Sequence, residues 1–213
     1  MAAFTQLPVP SRSDMPADFE CWLDEMIEFP ERREKITARI HAGYARPKAV
    51  LVLDMCGFTR TTQRLGIIAF LLMIHRMRRI CDPCFRELGG EFVEANADNL
   101  LYLFSTPGEA IAASRAAQAH IAGVNETLPE DERLYCSIGI GAGEVLCIGP
   151  GHIHGNEVNL AAKLGEDIAE KGQILLTMAA RAATPSDVET RESAVSIAGL
   201  ELRYHEVVQE TAT

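Results

Sequence analysis

Asp54 closes an otherwise apolar run, Ala49-Val50-Leu51-Val52-Leu53. A carboxylate there is costly to bury unless something pairs with it. Gly57 and Thr59 follow, so the backbone can come close to a ligand and offer it N–H groups. A second carboxylate, Asp98, ends the segment Asn96-Ala97-Asp98 between two apolar stretches. If those stretches form a hairpin beside the first strand, the two carboxylates converge. Two hard oxygen anions at sheet ends suit Mg²⁺ or Mn²⁺, which also take phosphate oxygens. Aspartates near strand ends are common, so the pair alone does not separate a metal site from ordinary acids.

The elements that must position these residues can be read from periodicity. Residues 1–18 are rich in Pro and Ser and read as a loosely ordered arm. Phe19, Trp22, Leu23, Met26 and Ile27 recur at helical spacing, Pro30 interrupts them, and a second helical stretch covers 31–40. The period then changes, and 49–54 reads as a buried strand. The turn at Cys56-Gly57-Phe58-Thr59 leads into a long apolar-faced helix over 62–88, which Pro83 should bend or break. Gly89-Gly90 precedes a strand hairpin, 91–95 and 99–104. A helix over 109–127 follows, then a strand over 134–140 that 141–148 extends or pairs with. Gly149-Pro150-Gly151 is a loop. Helix is expected over 156–170, a strand over 173–177, a short helix over 178–183 and a last hairpin over 194–208. Two hairpins within an alternating order imply α+β with a mixed or antiparallel sheet.

The chain has 213 residues, 47% of them hydrophobic, enough for one domain with a real core. The formal net charge of −10 argues against nonspecific binding to nucleic acid or to an anionic membrane. The most apolar run, GIIAFLLMI, is too short to span a bilayer and is followed by HRMRR. The N-terminal sequence has no basic region followed by an apolar one, so no signal peptide is expected. The six cysteines sit mostly in apolar contexts and read as free thiols of a reducing, cytoplasmic compartment. Cys81-Asp-Pro-Cys84 has zinc or redox spacing but lacks a second pair and lies in an apolar helical run, so it reads as core. Arg76, Arg78 and Arg79 read as the solvated face of the same helix.

Five ordered segments resemble one family. LVLDMCGFT resembles the first metal segment of class III adenylyl and guanylyl cyclases, and GGEFVEANADNLLYLF resembles their metal-bearing hairpin. SIGIGAGEVLCIG, GNEVNLAAKL and KGQILLT resemble the segments that follow. The resemblance covers about residues 46–183. It implies a ferredoxin-like (βαββαβ) α+β core over 46–210; the arm and helices over 1–45, outside the resemblance, read from their own pattern as a packing or dimerising appendage. It also implies a head-to-tail homodimer with active sites at the subunit interface. There Asp54 and Asp98, helped by the carbonyl of Met55, would hold two Mg²⁺ or Mn²⁺ ions, for which Ca²⁺ can stand in within a crystal. Backbone N–H groups of Cys56, Gly57, Phe58 and Thr59 would cradle the phosphates of a nucleoside triphosphate. From the second copy, Asn159 matches the asparagine that orients the ribose. Lys163 falls where the family has an arginine for the transition-state phosphate.

The sequence departs from the family pattern at several points. Lys163 keeps the charge but loses the bidentate fork. Glu94 falls where adenylyl cyclases carry a lysine that reads adenine. A carboxylate there can accept from guanine N1–H and its 2-amino group, which leans towards GTP. The partner base-reading position falls on His152 or its neighbour Ile153. Ala97 replaces the glycine before the second aspartate, where a positive φ would strain it. Survival of both aspartates and the asparagine favours a cyclase. The departures favour a catalytically degenerate, nucleotide-binding regulatory module, and a pure scaffold would leave Asp54 with no ligand to justify it.

Overall fold

The computed structural model describes residues 16–57, 66–197 and 199–209. Two N-terminal helices, α1 (Ala17–Glu28) and α2 (Arg33–Tyr44), flank a short 3-10 turn at Pro30–Arg32. Strand β1 (Ala45–Met55) leads to α3 (Ile67–Glu87), the hairpin β2 (Glu91–Asn96) and β3 (Asn99–Phe104), then α4 (Pro107–Asn125) and β4 (Cys136–Gly149). The chain continues through β5 (His152–His154), α5 (Asn156–Ala162), β6 (Ile174–Thr177), α6 (Met178–Ala182), β7 (Thr190–Ile197) and β8 (Leu200–Val207). One eight-stranded sheet runs β2-β3-β1-β4-β6-β8-β7, with β5 added against β4. Its first half, in the chain order β1-α3-β2-β3-α4-β4, is the ferredoxin-like unit, with β1 antiparallel to both β3 and β4.

Period-two alternation sorts β1 between two layers. Ala49, Leu51, Leu53 and Met55 enter the main core with Phe70, Met77 and Phe85 of α3 and Ile111 of α4. Val50 and Val52 face the other side, where they meet Leu103, Val145 and Ala161 of α5. Asp54 continues the Val50–Val52 series, so its side chain belongs to the α5 face of the sheet.

Helix α5 lies directly on the strands because glycines let it. A Cβ on Gly139 would stand 2.1 Å from the Ala161 carbonyl oxygen, and one on Gly165 would stand 2.8 Å from that of Val52. The sequence reading expected regular helix to residue 170. Instead, the helix passes into a π-helical segment, Lys163–Ile168. That widened turn keeps Leu164 and Gly165 buried and leaves Glu166 and Asp167 exposed.

Two further expectations differ from the structure. Helix α3 continues through Pro83. The missing Pro83 N–H costs one helical bond, yet Met77, Cys81, Cys84 and Phe85 are buried on either side and hold the helix in place. Residues 152–154, to which the sequence reading assigned no element, form β5, whose Leu146↔His154 and Cys147↔Ile153 pairs extend the sheet. The N-terminal helices pack Phe19, Ile36 and Ile40 onto Ile148 at the end of β4. Residues 1–15, the start of the long helix expected at 62, and part of the last hairpin turn lie outside the described residues. Among those described, no helix is long and apolar enough to cross a membrane.

Candidate active site

Strand β3 brings the hairpin turn to the end of β1, with Leu53 opposite Leu100. Asp54 and Asp98 are both half-buried there, near enough for the charge of Asp98 to act on Asp54. Burial pushes the Asp54 carboxyl up to about 7; the charges of Asp98, Glu166 and Asp167 push the same way, while a backbone hydrogen bond at Met55 opposes them. Glu166 is raised too, by burial first and then by Asp167 and Asp98. Carboxylates whose charge raises a half-buried neighbour in this way are a donor set that a divalent cation would relieve. No three His, Cys, Asp or Glu side chains among the described residues gather closely enough to enclose a metal by themselves. An ion held here would therefore draw on backbone carbonyls, water or substrate phosphate as well.

The chain next to these acids is bent and strained. Cys56 gives its N–H to the Tyr135 carbonyl at 2.9 Å, so this donor is already engaged. Gly57 follows at φ +95°, exposed and open to close approach. Phe58 and Thr59 lie outside the described residues. Ala97 has φ +47°, the strain expected of a non-glycine residue at this turn. Arg78 of α3 donates to the Ala97 carbonyl at 2.6 Å. The basic cluster read as a solvated helix face is thus partly structural, since Arg76 also reaches Glu132 at 3.2 Å.

The remaining candidates lie on the α5 face and around the two hairpins. Asn159 is exposed, and Lys163, four residues on, pairs with Asp167 at 2.5 Å. Glu94, exposed just after a bulge in β2, lines a cleft of about 150 Å³ with Asn96, Asn99, Val158 and Glu166. Within it, Asn99 Oδ1 is buried and unpartnered. His152 is half-buried in β5, while Ile153 packs against the Val50–Val52 cluster. The β4–β5 turn comes against β2, because a Cβ on Gly151 would lie 3.9 Å from the Val93 carbonyl oxygen. The neighbours of Glu94 and His152 therefore meet, but no hydrogen bond joins those two side chains. Sequence reasoning missed Glu166, Asp167 and the role of Arg78. The acidic pair one turn after Lys163 was the available signal for the first two.

The sheet order and the two covered faces define the class of fold. The fold is that of class III adenylate/guanylate cyclase domains, which the sequence segments also resemble. The adenylate/guanylate cyclase/hydrolase from Silicibacter pomeroyi superposes with a TM-score of 0.66 at 26% identity, covering 78% of this chain and 98% of that one. "Putative adenylate cyclase 3" of Rhizobium meliloti (strain 1021) is 25% identical over 132 residues, 62% of this chain. Serine/threonine-protein kinase pkn2 of Myxococcus xanthus is 28% identical over 141 residues, 65% of this chain. The matches cover 22% and 17% of those two relatives' lengths. No protein-family model matches the chain.

Proposed function

We propose that the chain converts a purine nucleoside triphosphate to its 3′,5′-cyclic monophosphate and pyrophosphate, at sites formed between two copies of itself. The observation that carries this reading is the approach of Asp98 to Asp54 at the end of β1, where its charge adds to burial in raising the Asp54 carboxyl. Asp54, Asp98 and the Met55 carbonyl would hold two Mg²⁺ or Mn²⁺ ions. When bound, these supply charge neutralisation at the phosphates and a lowered pKa for the ribose 3′-OH. The 3′-oxygen forms its bond to the α-phosphorus as the bond to pyrophosphate breaks, and the hydroxyl proton leaves to solvent. Gly57 and the residues after it offer backbone N–H groups to the phosphates. From the second copy, Asn159 orients the ribose and Lys163 faces the charge developing at the α-phosphate. Glu94, with His152 at the neighbouring turn, reads the base edge, which favours GTP over ATP. A reducing cytoplasm is the compartment that suits its six free thiols.

A second reading is a nucleotide-binding regulatory module without turnover. The Lys163–Asp167 pair favours it, because Lys163 must leave Asp167 before it can serve a phosphate. Incubation of purified protein with ATP, GTP, CTP or UTP and Mn²⁺ distinguishes the two. Cyclic product and pyrophosphate, greatest from GTP and abolished by Asp54→Ala or Asp98→Ala, support the cyclase. Nucleotide binding without product supports the module, and the absence of both overturns both.

A further inference from the structure

A separate cleft of about 590 Å³ opens on the other side of the metal-bearing hairpin, between it and α3. Its walls include His75, Arg78, Arg79 and Arg86 from the helix and Phe92 and Tyr102 from the hairpin. Tyr102 belongs to the α3-side core, so this cleft lies across the sheet from the α5 face to which Asp54 belongs. In a chain of net charge −10, such a concentration of cations needs an explanation.

A charge census shows what is left over. Asp82 is the acid lining the cleft, and it is already committed. It accepts from Arg86 Nε at 2.8 Å and from the Tyr102 hydroxyl. Arg78 spends one N–H on the neutral Ala97 carbonyl, while its Nε is buried and unpartnered. Arg79 is exposed and forms no ion pair with any described residue. Two guanidinium charges therefore face the cleft uncompensated. Beside them, Phe92 is 44% exposed, stands edge-on to Tyr102 at 5.4 Å, and lies under the Arg86 guanidinium at 5.6 Å. A large exposed aromatic ring beside unpaired arginines offers a flat apolar wall and an oxyanion clamp together.

We propose that this cleft binds a small organic anion, with a carboxylate or phosphate head on Arg78 and Arg79 and a flat apolar body against Phe92. The anion site does not depend on the cyclase reading, whereas its coupling to a cation at Asp98 rests on that reading. Because Arg78 also holds Ala97, the residue before Asp98, an occupant drawing on Arg78 would be felt at the hairpin turn. Divalent-cation binding at Asp98 and anion binding in the cleft would then influence each other by the same factor.

Isothermal titration of the full chain, free of metal and nucleotide, tests the proposal. The probes are benzoate, phenyl phosphate, inorganic phosphate and neutral benzamide. Saturable binding of at least one aromatic anion is expected, tighter than inorganic phosphate and absent for benzamide. The tighter of benzoate and phenyl phosphate identifies the head group. Arg79→Gln, at an exposed position that leaves the fold intact, should weaken it at least ~tenfold, the loss expected for one charged hydrogen bond. No saturable binding, binding unmoved by Arg79→Gln, or inorganic phosphate bound as tightly as phenyl phosphate would overturn the proposal. The link to the hairpin is read from the backbone amide NMR signals of Ala97 and Asp98. They should move at saturation, and unmoved signals would break the link.

Discussion

Asp54 shows most directly how structure sets chemistry at one residue. Its folded-state carboxyl sits at about 7, against an unfolded value near 3.8, so folding favours the protonated form. Stability present at low pH is therefore lost as pH rises from about 4 through 7, and is constant above that. Asp54→Asn should flatten this slope and raise the melting temperature of the metal-free protein at pH 8. Thermal unfolding between pH 4 and 8 measures it, and an unchanged slope would mean that Asp54 is not the group under pressure. Lys163 makes the second prediction at this scale. If it meets the transition-state phosphate, Lys163→Arg restores the bidentate fork and should raise kcat about tenfold with little change in KM. A kcat that does not respond would remove Lys163 from the reaction.

At the scale of elements, the β2–β3 hairpin ties the site to the fold. Its turn holds Ala97 at φ +47°, a conformation costly for alanine and free for glycine. Ala97→Gly should stabilise the protein by about 1 kcal/mol, read from the urea midpoint at constant m-value. A lower midpoint would show that the strain is not stored there. The hairpin itself was legible in the sequence, because Gly89-Gly90, the alternating strands and the short Asn-Ala-Asp segment are all local signals. The π-helical segment after α5 was not. Lys163 to Ile168 reads as ordinary helix until Gly165 is seen pressed against the Val52 carbonyl. Nor was β5, whose three residues become a strand only by pairing with β4. The continuity of α3 through Pro83 likewise depends on burial that local propensity cannot report.

For the whole molecule, the decisive prediction concerns two copies. Asp54 and Asn159 are assigned to opposite halves of a shared site. Asp54→Ala and Asn159→Ala homodimers should each be inactive, and an equimolar mixture should recover about a quarter of wild-type turnover, since half the dimers are mixed and each carries one intact site. No recovery in a mixture shown to exchange subunits would place both residues in one protomer's site and end the shared-site reading.

The sequence alone determined most of the strands and helices in their order, Asp54 near the end of a strand, the hairpin-tip Asp98 and the likeness to one fold, because burial periodicity and turn chemistry are written locally. Tertiary structure alone decided which charges meet. Glu166 and Asp167 press on Asp54, and Arg78 holds Ala97. Close helix–strand packing over Gly139 and Gly165 brings the first of these groups together, and Coulomb interaction depends on distance through space, which spacing along the chain does not record.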